Sequence, residues 1–243
     1  MIKIATGLCA TILLAAASAA SAQEATISGT VKFDGKYKPK KLNSKISGDK
    51  YCGPQNAGVD VYDEEVILGA NGELANVFVW IKKGAPAGPH KPPGEVVEID
   101  QTKCVYRPHI IALMVGQKLR IKNSDDTMHN IHSLPKLNKE FNEGQGQKGM
   151  TAEKKFSVQE IGVKIKCDVH PWMGAWMHVV GHPFFAVSKA DGTYKIDKLP
   201  AGTYEIEFWH EKYANGKETK TVVKPVTVGD KEAKTEDQTF KGN

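Results

Sequence analysis

Short runs of alternating apolar and polar residues dominate this chain, and they predict β-strands. Turn signals such as Asn71-Gly72, Asp191-Gly192 and Asn215-Gly216 separate the runs, and residues 138–155 have the composition of a polar loop. The predicted strands are 26–33, 76–82, 95–100, 110–123, 163–167, 175–180, 184–187, 203–210 and 219–228. Many short strands without a convincing amphipathic helix predict an all-β protein, either a sandwich or a barrel.

The alternation gives one cysteine a defined direction. In the predicted strand 163–167, the apolar residues and Cys167 share one face and the lysines take the other, so the cysteine ends the strand pointing inward. Pro171 interrupts regular pairing beyond the strand. His170 and Met173 therefore lie on a loop, where a spacing of three residues lets each side chain turn back toward the sulfur.

A further ligand candidate follows a polar turn rich in Asp and Ser at 124–126. If the segment after it is extended, His129 and His132 point to opposite faces. Only one of them then converges with Cys167, and we expect it to be His129 because it lies nearer the turn.

Two imidazoles, a thiolate and a thioether form a recognisable set of ligands. A trigonal site of two histidines and a cysteine with a weak axial methionine binds copper as an electron-transfer centre. Structural zinc sites are richer in cysteine, and an open zinc site keeps a water rather than a thioether. The residues therefore predict one copper per chain, bound by His129, Cys167, His170 and Met173.

The start of the chain predicts export. Lys3 precedes an apolar run that ends in Ala20-Ser21-Ala22, the pattern of a signal peptide over residues 1–22. No later apolar run has the length of a membrane span. We therefore expect a periplasmic or secreted protein.

The formal net charge of +5 is spread over runs of mixed sign, which favours a solvated surface and argues against nucleic acid as a partner.

Cysteine usage supports a division of roles. Cys9 lies in the predicted signal peptide, which leaves Cys52, Cys104 and Cys167. An odd number in an oxidising compartment leaves one thiol unpaired or bound to another group. Because neither Cys52 nor Cys104 has a histidine at metal-ligand spacing, we expect these two to form a disulfide.

The sequence CDVHPWM at 167–173, together with MHNIH at 128–132, resembles the cupredoxin family of amicyanin- and plastocyanin-like blue copper domains. The resemblance covers residues 95–182. It implies a Greek-key β-barrel with a type 1 copper on the four residues named above, with Asn130 bracing the two ligand loops. Met177 offers a competing axial sulfur, as in family members with longer loops.

Residues 183–243 resemble a carboxypeptidase regulatory-like, transthyretin-type β-sandwich, on the sequences FFAVSKADGTYKI and LPAGTYEI. That segment is too short to close a sandwich comfortably by itself. We expect strands within residues 23–94 to complete it, with the copper domain inserted between the two parts. The expected fold is thus a Greek-key cupredoxin barrel plus a small Ig- or transthyretin-like β-sandwich.

The expected function is single-electron transfer between periplasmic redox partners, such as a c-type cytochrome or a dehydrogenase, without enzymatic activity. Electrons would pass through the edge of His170, with Pro171 and Trp172 as a docking patch for the partner.

The alternative is a module that binds carbohydrate or protein through its sandwich and has a structural copper site. Binding of carbohydrate would need exposed aromatic residues, for which the candidates are Tyr194, Tyr204, Trp209 and Tyr213.

Among the histidines without an assigned role, four are candidates for a further site: His132, His178, His182 and His210. His210 shares a predicted strand face with Ile206 and Phe208, which favours a core histidine. The alternative is that some of these histidines form a second metal site, for example His178 with His182.

Overall fold

The computed structural model describes residues 24–214 and 221–242. The expected signal peptide lies outside the described residues. No helix among them combines the length and the hydrophobicity needed to cross a membrane. The described chain consists mainly of strands, which confirms the all-β prediction.

The strands are β1 (Ala25–Asp34), β2 (Phe78–Lys83), β3 (Val97–Thr102), β4 (Val105–Arg107), β5 (Ile110–Met114), β6 (Leu119–Asn123), β7 (His129–Leu134), β8 (Phe141–Gln145), β9 (Thr151–Lys154), β10 (Glu160–Lys166), β11 (Gly174–Val180), β12 (Phe185–Val187), β13 (Thr193–Leu199), β14 (Gly202–Trp209), β15 (Val222–Val228), β16 (Ala233–Thr235) and β17 (Gln238–Lys241). The one-turn helices are α1 (Asn43–Ile46), α2 (Cys52–Gln55) and α3 (Glu211–Ala214).

Strands from the two ends of the chain build one unit, which we call the terminal sandwich. One of its sheets has the order β13-β1-β16, with β17 also paired to β1, and the other has the order β12-β2-β14-β15. Apolar side chains from both sheets fill its core, including Ile27, Ile81, Ile206 and Phe208, each essentially fully buried. Burying each such side chain contributes roughly 1.5–3 kcal/mol to folding.

A tight turn between β12 and β13 requires the glycine that marked it in the sequence. Gly192 has φ +73°, and a Cβ atom at this position would lie 2.5 Å from the backbone oxygen of Val31. Only a residue without a side chain fits such a close approach of two backbones. The predicted Asp191-Gly192 turn is therefore present.

The middle of the chain builds a second unit, which we call the central sandwich. Its sheets have the orders β5-β11-β10-β7-β8 and β4-β3-β6-β9. In β10 the predicted alternation holds: Val163 and Ile165 are buried and Lys164 is exposed. Ile46 of α1 and Cys52 of α2 also lie in this core, so the segment between β1 and β2 contributes to the central sandwich.

Two expectations about strands are wrong. Residues 138–155, expected to be a polar loop, contain β8 and β9, which pair with β7 and β6 at sheet edges. The expected single strand 110–123 is divided into β5 and β6, which belong to different sheets, and Gly116 turns the chain between them with φ +79°.

An aromatic cluster joins the outer faces of the two sandwiches. Trp176 of β11 contacts Trp209 of β14 with ring centroids 5.5 Å apart, and His178 stacks on Phe78 at 4.0 Å. The buried members of this interface cluster are Phe78, Trp80, Ile110, Trp176, Val180 and Trp209.

A partly buried ion pair strengthens the same interface. Glu211 accepts a hydrogen bond from Trp176 Nε1 at 2.6 Å, and its other oxygen lies 2.6 Å from His109 Nε2. Burial lowers the pKa of His109, but the hydrogen bond to Glu211 and the charges of Glu211 and Glu64 outweigh burial and the opposing charge of Arg107. The pKa of His109 is therefore raised above its ordinary value.

We expect the Glu211→Gln variant to lower the free energy of unfolding by about 2 kcal/mol when His109 is protonated. A histidine with a raised folded-state pKa contributes stability that is complete below its unfolded pKa of about 6.5. That contribution is lost as the pH rises through the folded-state pKa. Urea unfolding of wild type and variant from about pH 5.5 to about pH 9 should show a difference that shrinks toward alkaline pH. The Glu98→Gln control, on the exposed surface, should show no such trend, and a pH-independent difference for Glu211→Gln would contradict this prediction.

Candidate metal centre

The four sequence-predicted ligands lie at strand ends of the central sandwich and in the loop beside them. His129 is the first residue of β7, and Cys167 directly follows β10. These strands are antiparallel neighbours with Lys166 opposite His132, which brings Cys167 close to the start of β7. His170 and Met173 lie in the loop between β10 and β11.

The side chains of His129, Cys167 and His170 form a compact buried group. The two Nδ1 atoms are 2.9 Å apart, and the Nδ1 atom of His170 is 3.9 Å from the sulfur of Cys167. Their potential ligand atoms all lie within 4.8 Å of one another. His129 is 0% exposed, and Cys167 and His170 are each 2% exposed. Two nitrogens and a sulfur therefore converge in a space shielded from water.

Two methionines are possible thioether ligands. Met173 closes the loop, because its N–H donates to the His170 oxygen at 2.9 Å and its own oxygen accepts from the Cys167 N–H at 3.3 Å. Met177 pairs with Val163, four residues before the cysteine and thus about 13 Å along the strand. Met173, which is 2% exposed, is the methionine held in the ligand loop.

The residues around Cys167 favour the thiolate form of its side chain, which can bind a cation. Burial raises the pKa of the thiol, but hydrogen bonds with His129 and His170 outweigh burial and lower the pKa to about 5. The sulfur is therefore a thiolate at neutral pH, the form that binds metals. Little proton loss from this residue has to accompany metal binding.

Asn130 connects the two ligand loops. Its Oδ1 accepts a hydrogen bond from the N–H of Asp168 at 2.8 Å and lies 3.2 Å from the sulfur of Cys167. Its side-chain nitrogen donates to Asn142 at 2.7 Å and to the Asp168 carboxylate at 3.0 Å. Removing this amide would take away the hydrogen bonds that join the turn after Cys167 to Asn130 of β7.

Sequence reasoning missed two carboxylates at the imidazoles. Asp125 Oδ2 lies 3.0 Å from His129 Nε2, and Asp49 Oδ2 lies 3.4 Å from His170 Nε2. Asp125 belongs to the polar turn already noted before His129, and its position four residues earlier was the available signal. Nothing in the local sequence of Asp49 indicates a contact with a loop so distant along the chain.

The edge of His170, through which electrons were expected to pass, is buried. The ring is buried because Asp49 covers Nε2 and Trp172 packs beside it, with ring centroids 5.1 Å apart. Trp172 is itself half-buried and donates its indole N–H to the Cys104 oxygen at 3.0 Å. Of the two expected docking residues, Pro171 is the exposed one.

The structure contains a disulfide between Cys52 and Cys104, with their Cα atoms 5.8 Å apart. It joins α2 to the turn after β3 and lies beside the centre, since Cys52 neighbours His170 and Cys104 neighbours His129. Cys167 is a free, buried cysteine.

The remaining histidines lie outside this group. His132 contacts Glu140 at 2.7 Å and Asp168 at 3.0 Å, and His182 Nε2 is 2.9 Å from the oxygen of Ile81. Burial lowers the pKa of His178 to about 3 and that of His210 to about 4, so both are neutral. Within residues 24–214 and 221–242, none of the four joins a group of three closely spaced potential ligands.

The search of protein families found no match for this chain, and neither did the search of curated proteins. Several solved structures are similar to parts of it. A novel purple cupredoxin from Nitrosopumilus maritimus is 24% identical, with a TM-score of 0.30 over 34% of this chain and 98% of that chain. A Cu-containing nitrite reductase (NirK) from Thermus scotoductus SA-01 is 18% identical, with a TM-score of 0.32 over 41% of this chain and 25% of that chain. A mutant of amicyanin in the Cu(I) state is 18% identical, with a TM-score of 0.31 over 42% of this chain and 97% of that chain.

Proposed function

We propose that this protein carries single electrons on one type 1 copper bound by His129, Cys167, His170 and Met173. The observation that carries the proposal is the buried convergence of two imidazole nitrogens on a thiolate. Two nitrogens, a thiolate and a distant thioether are the donor set of copper electron-transfer sites, so the residues fit this metal.

Each part of the site has a physical role in such a reaction. When bound, copper supplies the one-electron change between Cu(II) and Cu(I). The strands β7 and β10 hold His129 and the cysteine in place, and the hydrogen bonds of Met173 fix the loop. A rigid ligand set keeps the geometry similar in both oxidation states. Burial excludes water, which would otherwise reorganise when the charge changes.

The partner in this proposal is a redox protein of the periplasm, either a c-type cytochrome or a dehydrogenase, reached after export of the chain. Contacts of this kind are small and transient. The exposed Pro171 and the 49% exposed Val169 lie on the ligand loop and form the apolar part of the proposed docking surface. Trp172, which is half-buried, packs against His170 in the same loop.

The alternative function, a carbohydrate-binding sandwich, has less support. Tyr194, Tyr204 and Trp209 are 3%, 4% and 5% exposed, so their rings are not available for stacking on a sugar. They pack within the terminal sandwich and at the interface between the two sandwiches. The side chain of Tyr213 lies outside the described part of the chain.

Visible and electron paramagnetic resonance spectra during titration with Cu(II) test the proposal. We expect an intense absorption band that saturates at one copper per chain and is bleached by ascorbate. Stopped-flow mixing with a soluble c-type cytochrome should then show electron exchange without a stable complex. A protein that binds Cu(II) only weakly, with no intense band, would contradict the proposed centre. A band without exchange with any cytochrome or dehydrogenase would contradict the proposed role as a carrier.

A further inference from the structure

Each histidine of the centre has a carboxylate beside its outer ring nitrogen: Asp125 is hydrogen-bonded to His129 at 3.0 Å, and Asp49 makes a longer ion-pair contact with His170 at 3.4 Å. In each ring Nδ1 points to the cluster, while Nε2 meets a carboxylate, that of Asp125 behind His129 and that of Asp49 behind His170. A carboxylate at one ring nitrogen holds the proton there and leaves the lone pair of the other nitrogen for a metal. Each carboxylate therefore selects the tautomer that a metal at Nδ1 needs.

Both carboxylates are themselves fixed by backbone donors. Asp125 accepts from the N–H groups of Lys103 and Cys104, each at 2.8 Å. Asp49 accepts from the N–H of Cys52 at 2.7 Å and from that of Tyr51 at 2.9 Å. Donors of this kind fix the direction as well as the distance of a carboxylate.

The disulfide joins the two turns that hold these carboxylates. The N–H of Cys52 anchors Asp49, the N–H of Cys104 anchors Asp125, and the two sulfurs are bonded to each other. One covalent link thus connects the supports of the two imidazoles. We call Asp49, Asp125 and this disulfide the aspartate clamp.

We propose that Asp49 and Asp125 are positioning residues that orient both imidazoles and bias the centre toward its oxidised form. This inference rests on the proposed copper function. The oxidised metal carries one more positive charge than the reduced metal, so two negative charges, each one imidazole ring away, stabilise it preferentially. The effect is larger at Asp125, which is 4% exposed, than at Asp49, whose side chain is 29% exposed and therefore more strongly screened by water.

Orientation and charge are separated by two substitutions at each site. Asn retains an oxygen that accepts from Nε2–H but removes the charge, and Ala removes both. We expect Asp125→Ala to lower Zn(II) affinity by about 10–100-fold and Asp125→Asn to lower it much less. In the Zn(II)-loaded protein, the Nε2–H signals of His129 and His170 should be protected from exchange in NMR spectra. The His129 signal should disappear in Asp125→Ala, and the His170 signal in Asp49→Ala.

The effect of the two carboxylate charges is tested by measuring the Cu(I)/Cu(II) ratio of the copper-loaded protein while redox mediators hold the solution potential fixed. We expect Asp125→Asn to raise the Cu(I)/Cu(II) ratio by about tenfold, and Asp49→Asn to raise it by less than Asp125→Asn but by more than the control. Asp126→Asn is the matched control, because it removes the same charge from the next position in the chain, where the side chain is exposed. Its effect should stay below about threefold, since exposed charges are screened.

The outcomes separate this inference from the function on which it rests. If wild type lacks the intense absorption band, the proposed function fails, while the Zn(II) and NMR measurements still decide whether the aspartates orient the rings. If the band is present and both Asn variants behave like Asp126→Asn, the charge effect is overturned. If Ala and Asn variants bind Zn(II) like wild type and keep both protected signals, the positioning role is overturned.

Discussion

The Cys167→Ser variant is expected to lose the intense visible absorption of the copper-loaded protein and to bind copper more than about 100-fold more weakly. Loss of a residue that only supports a ligand typically costs 10–100-fold in metal affinity, and loss of the ligand itself should cost more. The hydroxyl of serine is not ionised at neutral pH, whereas the hydrogen bonds with His129 and His170 lower the pKa of the cysteine to about 5.

Titration with Cu(II), followed by absorption and by equilibrium competition with a chelator, measures both effects. Circular dichroism of the metal-free variant shows whether it is folded. Met177→Leu is the matched control, because Met177 is a fully buried sulfur outside the ligand loop, and the band should survive its loss. An intense band in Cys167→Ser would show that this thiolate is not the source of the absorption.

Removing the disulfide through the Cys52→Ala/Cys104→Ala double substitution is expected to lower the free energy of unfolding by about 4 kcal/mol. The bond links residues separated by 52 positions, and closing a loop of that length removes about this much conformational freedom from the unfolded chain. The segment that it secures has little sheet pairing of its own. Among the described residues its isolated bridges are Lys41 with Tyr62, Leu68 with Leu74, and Glu73 with Lys32 of β1.

Urea unfolding of the metal-free protein, with and without the double substitution, gives this difference directly. Wild type treated with a reductant is the parallel sample and should lose a similar amount of stability. A loss below about 1 kcal/mol would mean that packing of Ile46 and its neighbours secures the segment without the covalent bond.

Local patterns were sufficient to predict the strand before the cysteine and the loop after it. Alternation over 163–167 requires no information from the rest of the chain, and the spacing of Cys167, His170 and Met173 places all three around one tight loop. The same rule of alternation showed that only one of His129 and His132 could converge with the cysteine, and the nearness of His129 to the polar turn favoured it. The expected convergence of these side chains is the part of the site that sequence reasoning could describe.

Contacts between distant segments were beyond the same reasoning. The position of Asp49 depends on the packing of α1 and α2 against a sandwich that begins some fifty residues later. Burial of His170 follows from that packing, so its exposure could not be judged from the loop alone. The strands β8 and β9 were missed because backbone pairing with neighbours stabilises polar edge strands that lack an apolar pattern.

The pairing of β1 and β2 with late strands has a consequence for biosynthesis. Trp80 of β2 pairs with Phe185, and Val31 of β1 pairs with Gln238, so partners emerge from the ribosome about one hundred and two hundred residues later. At a synthesis rate of about 5–20 residues per second, these strands wait roughly five to forty seconds. Until β12 and β14 are made, the apolar segment around Val79 has no native partner and is exposed to aggregation.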